Sequence, residues 1–169
     1  MDDFFDRIDL DAIADPGDKV RECEFFLNLA TVEMDRSRFR WLISAYLNAV
    51  YSYFETAALY ASVSFTNPQT GDPIQDREAV EKLRAYVGIT QNEKSPYYVK
   101  THGLHPIISR LYQVRKTTTH LFPLAIMSSG LDLPEDFHLG NIKGEGEPLL
   151  ELCRQALDVV KKAQTEINA

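Results

Sequence analysis

The sequence predicts an all-α fold, a bundle of four to five main helices in a single domain covering residues 1–169. Three observations carry that expectation. Apolar residues recur at steps of three and four in several segments, the spacing that keeps one face of a helix buried. No segment alternates cleanly between apolar and polar at a period of two, as a half-buried strand would. Hydrophobic residues make up 44% of the chain and charged residues 25%, the balance of a globular domain with a core of its own.

The start, MDDFFDRIDLD, is acidic and lacks an apolar run, so no secretory signal is expected. Ala14–Asp18 is turn chemistry and precedes a helix with Val20, Cys23, Phe26, Leu27, Ala30 and Met34 on its buried side. The chain breaks at Glu33–Arg40, and a long helix follows with Phe39, Leu42, Ile43, Tyr46, Val50, Tyr53, Ala57 and Tyr60 at helical spacing. From Trp41 to Thr66 its only charge is Glu55. That length could span a membrane, but Ser44, Asn48, Ser52 and Ser62 interrupt it, which predicts a buried central helix, apolar nearly all round.

Asp72 before Pro73 suggests the N-cap and first residue of a short helix carrying Val80, Leu83 and Val87. Gly88–Gly103 reads as irregular. His105-Pro106 starts another helix with Ile107, Ile108, Leu111, Tyr112 and Val114 on its apolar side, which Pro123 should end. Leu124–Glu147 reads as loop. The last helix begins near Pro148 and carries Leu149, Leu152, Cys153, Ala156, Val160, Ala163 and Ile167 on one face.

The net charge of −7 argues against global attraction to nucleic acid or anionic membrane, so any such binding needs a local patch. One candidate exists. Between Glu93 and Asp132 there is no acidic residue, where roughly five or six would match the chain's average. The same stretch holds Lys94, Lys100, Arg110, Arg115 and Lys116, with His102, His105 and His120. Two cysteines, Cys23 and Cys153, make no disulfide framework and fit small core positions in a reducing, cytoplasmic setting. His102 and His105 have no carboxylate or cysteine nearby in sequence, so no metal is expected.

Within the positive stretch, Val114–His120 reads VRKTTTH. Arg115 and His120 suit phosphate binding and proton transfer. Five residues on a regular helix turn through about 140°, so the pair shares a face only if the helix loosens or a second chain supplies one half. Three consecutive threonines favour loosening, and their hydroxyls can bond a carbonyl or a phosphate. On the long helix the polar stripe Ser44, Asn48, Ser52, Glu55 and Ser62 offers either a wet edge or a support. Glu55, if buried, needs a partner, and Arg115 can bind a carboxylate bidentately.

The long-helix stretch Phe25–Ala57, followed some sixty residues later by RLYQVRKTTTH, resembles the HEPN superfamily of all-helical domains. Arg115-x4-His120 matches that family's Arg-x4–6-His signature, and the resemblance covers Val20–Phe122, with the last helix completing the bundle. It implies a metal-independent endoribonuclease, often a toxin or defence effector, that needs no cofactor. It also implies a homodimer whose two motifs face one cleft, with RNA and a partner or antitoxin protein as candidate partners; the polar interruptions of the long helix separately predict no membrane attachment. Arg115 and His120 would be catalytic, while Lys116, Thr117 and Thr119 would contact substrate. Asn48 and Glu55 would support the site. The sequence departs from the family at Lys116, where Asn or a small polar residue is common. The alternative reading is therefore a catalytically silent module that binds RNA or protein.

Overall fold

The computed structural model describes residues 15–90, 98–100, 105–120, 123–128, 130–131, 133–140 and 146–169, with backbone alone at 90, 98, 100 and 118–120. It is mostly helical. Helix α1 (Pro16–Ala30) starts where the Asp15 carboxylate accepts from the Gly17 amide at 2.7 Å, with proline at its first position. After a tight turn, Asp35 caps α2 (Arg36–Val63) by accepting from the Arg38 amide at 2.8 Å. This 28-residue helix is about 42 Å long at the standard rise. Helix α3 (Arg77–Arg84) is capped by Asp76, whose carboxylate accepts from the Ala79 amide at 3.0 Å. Helices α4 (Pro106–His120) and α5 (Leu149–Asn168) complete the helical set among the described residues.

Helix α2 is the centre. Phe39, Ile43, Tyr46, Val50, Tyr53 and Phe54 are almost fully buried in one core cluster that draws on all five helices. Tyr46 donates from its hydroxyl to the carbonyl of Cys153 on α5 at 2.7 Å, so its polar end is satisfied inside the core. Cys23 and Cys153 are free and buried, and burial pushes the Cys23 thiol up to about 12. No helix among the described residues is long and apolar enough to cross a membrane.

Several expectations need correcting. Short strands accompany the helices. β1 (Phe65–Thr66) pairs antiparallel with β2 (Pro73–Ile74), and β3 (Gly88–Thr90) pairs with β4 (Tyr98–Lys100). β5 (Ile126–Ser128), β6 (Phe137–Leu139) and β7 (Glu147–Pro148) form a three-stranded antiparallel sheet. Two or three residues are too few to display an alternating pattern, which is why these segments read as loop. Pro73 consequently sits in a strand, and the α3 cap is Asp76 rather than Asp72. Gly71, at φ +73°, lets the β1–β2 connection close.

Two further departures concern exposure. Met34 falls beyond the end of α1 and is 57% exposed. Helix α2 is not buried all round, because Trp41 and Tyr60 are exposed. The remaining elements match the expected periodicity, with Leu149, Leu152, Cys153, Ala156, Val160 and Ala163 buried along α5.

Candidate functional site

Helix α4 sets the geometry. Ile108, Leu111, Tyr112 and Val114 are buried, which fixes the helix against α2 and α5 and turns Arg115 toward α2. The three threonines do not break it. Thr117 donates from Oγ1 to the Gln113 carbonyl at 3.0 Å, four residues back, and the backbone stays helical through His120. The cost of threonine in a helix is a few tenths of a kcal/mol per residue, less than the burial of the apolar side returns. The loosening that would have turned Arg115 and His120 to one face is therefore not found. The side chains of Thr119 and His120 lie outside the described residues.

Arg115 is held in place by two neighbours on α2. Its Nε donates to Asn48 Oδ1 at 2.8 Å. Its guanidinium carbon lies 3.9 Å from the centroid of the Tyr51 ring, a cation–π contact. Tyr51 is itself wedged edge-on against Tyr112, with ring centroids 5.2 Å apart. Asn48 and Tyr51 are one turn apart on α2, so both meet the same cation. Tyr51 is not among the expected site residues; helical spacing puts it on the Ser44–Asn48 face, but only the packing of α4 against α2 makes its ring a platform.

Tyr112 closes the back of this arrangement. It is 6% exposed, and among the described residues its hydroxyl has no hydrogen-bond partner. Burial pushes its phenol well above the usual range, the Tyr51 hydroxyl and Glu55 carboxylate add to this, and Arg115 opposes it. Glu55 thus belongs to the same electrostatic neighbourhood. No ion pair between Glu55 and Arg115 is found among the described residues. Ser44 and Ser62 use their hydroxyls on the carbonyls of Arg40 and Ala58, so that part of the polar stripe serves its own helix.

The rest of the positive stretch divides. Lys116 and Thr117 are exposed. Arg110 is bound by Glu147, from the far side of the acid-free stretch, at 2.8 Å through Nε and 2.6 Å through Nη2. His105, half-buried, stacks on Tyr86 with ring centroids 5.9 Å apart. His102 and Lys94 lie outside the described residues. No group of three His, Cys, Asp or Glu able to hold a metal ion occurs among the described residues. No family model, curated protein or solved structure matches the chain.

Proposed function

We propose that this chain is a HEPN-like helical bundle that binds RNA through Arg115 and cleaves it without a metal ion. The observation that carries the reading is the fixed guanidinium. Arg115 is stacked on Tyr51 and tethered by Asn48, on a helix with no carboxylate of its own. A guanidinium presented this way suits a phosphodiester, because little side-chain freedom remains to be lost on binding.

The chemistry follows from the residue types. The RNA 2′-hydroxyl attacks the adjacent phosphorus and the P–O5′ bond breaks, leaving a 2′,3′-cyclic phosphate and a 5′-hydroxyl. Arg115 stabilises the negative charge that develops on the phosphoryl oxygens. His120 moves the proton, taking it from the 2′-hydroxyl or giving it to the departing 5′-oxygen. Lys116 and Thr117, both exposed, would contact the strand. A regular α4 leaves Arg115 and His120 about 140° apart, so the two would meet across a homodimer, each cleft taking one group from each copy. A cytoplasmic location and a partner or antitoxin protein belong to the same reading.

The test is RNA cleavage in excess chelator. The wild type should cut, and Arg115→Ala and His120→Ala should each lose cutting while keeping the wild-type circular dichroism. If RNA is bound in an Arg115-dependent way but left intact, the silent RNA-binding alternative replaces the enzyme. If RNA is neither bound nor cut, the nucleic-acid reading fails.

A further inference from the structure

We propose that a groove on the other flank of α4 is a nucleobase pocket, which takes one unstacked base of the strand whose phosphate meets Arg115. This rests on the RNA reading above and specifies how that site would choose its substrate. The groove has a volume of about 560 Å³ and lies between α4 and the β5–β6 edge. Arg110, Gln113, Val114 and Thr117 line it from the helix, at steps of three and four that place them on one stripe. Leu124 and Leu139 line it from the sheet side. The size and make-up, apolar walls with a few polar groups, are those of a small-molecule site.

The electrostatics favour a base over a phosphate. Among the described residues Arg110 is the cation of this lining, and both of its contacts go to one oxygen of Glu147. Its charge is largely met, while the flat faces of its guanidinium remain suited to stacking on a base. Gln113 is exposed at the rim and brings an amide donor beside an amide acceptor, the pair that matches a base edge. A second cleft of about 540 Å³ is lined by the capping carboxylates of Asp15 and Asp76. That charge is wrong for a polyanion. The α4 groove adjoins Arg115 on the same helix, one residue on from Val114 and about 100° around the axis. Phosphate and base would therefore straddle one helix.

The experiment titrates the four nucleoside 5′-monophosphates, with ribose 5-phosphate as control, against the full chain by calorimetry. At least one nucleotide should bind saturably and more tightly than ribose 5-phosphate. Ala125→Trp, at an exposed position on the groove wall, should weaken that binding at least tenfold. Gln113→Leu, which cannot block the groove, should flatten the preference among bases. The proposal is overturned if no nucleotide binds better than ribose 5-phosphate. Equal binding by wild type and by a folded Ala125→Trp overturns it too, as does an unchanged base preference in Gln113→Leu. RNA cleavage separates the two readings. Wild-type cutting with an unchanged base preference in Ala125→Trp sinks the pocket and leaves the Arg115 function standing. Nucleotide binding that Ala125→Trp abolishes, in a protein that never binds RNA, does the reverse.

Discussion

Arg115 shows how a residue's chemistry is set by what lies under it. The cation sits on the Tyr51 ring and leans on the Asn48 amide, so its position depends on two side chains from another helix. An exposed cation–π contact contributes about 0.5–1 kcal/mol, or roughly a two- to fivefold change in an equilibrium. Tyr51→Leu should weaken RNA binding by that factor, whereas Tyr51→Phe, which keeps the ring, should bind like the wild type. Equal losses in both would mean that the phenol oxygen, and not the ring face, matters. A second residue-scale test concerns Gly146. A Cβ placed there would lie 1.6 Å from His138 Cδ2, so the imidazole or the strand must move. Gly146→Ala should lower stability by about 1–3 kcal/mol, read as a shift of the urea midpoint. At this scale the sequence was only partly legible. Arg115 and the polar position of Asn48 stood out as residue types, but nothing local says that Tyr51 will be a platform and not another core aromatic. That depends on how far α4 rotates against α2.

At the scale of elements, the clearest ambiguity was between two identical chemistries four residues apart. Asp72 precedes a proline and Asp76 does not, and the first looks like the better helix start. The structure uses Asp76, because residues 73–74 are taken up in pairing with Phe65–Thr66. Cap strength makes this testable. Asp76→Ala should cost about 1 kcal/mol by removing the acceptor for the Ala79 amide, while Asp72→Ala should stay within about 0.5 kcal/mol of the wild type. Similar losses in both variants, measured by chemical denaturation, would remove the distinction. The helices were legible because eight or more residues give periodicity room to declare itself, and α5 displays its buried face at six expected positions. The strands were not, since pairing partners such as Met127 and His138 meet only after the chain has folded. The threonines misled for a related reason. Intrinsic propensity is a weak force beside the packing of Ile108, Leu111 and Val114, which holds α4 regular.

For the molecule as a whole, the core is rich in groups that must stay protonated. Burial pushes Cys23 up to about 12 from an ordinary thiol value of 9.0, and burial with the Glu166 carboxylate raises Tyr86 to about 12 from 10.0. Tyr46, Tyr53, Tyr112 and Cys153 are shifted the same way by burial. Each group holds its proton more tightly folded than unfolded, so its contribution is whole below the unfolded value and is lost as pH rises through the folded one. Stability should accordingly be level near neutrality and fall steadily from about pH 9 toward pH 12, with the denaturation midpoint as readout. A midpoint that stays flat over that interval would mean these groups are solvated.

The regularity of α4 has its largest consequence at the level of assembly. If Arg115 and His120 meet across two copies, each variant alone lacks one half of both clefts. Mixing Arg115→Ala with His120→Ala chains, after unfolding and refolding together, creates hybrid dimers. In a hybrid, one cleft takes Arg115 from the His120→Ala chain and His120 from the Arg115→Ala chain, and is whole. Random pairing makes about half of the dimers hybrid. With one intact cleft of two in each, activity should recover to about a quarter of the wild-type level. If the two groups act within one chain, no hybrid cleft is whole and mixing restores nothing. The recovered fraction thus distinguishes a site built by one helix from a site built by two, a choice that the 140° separation along α4 already weights toward the second.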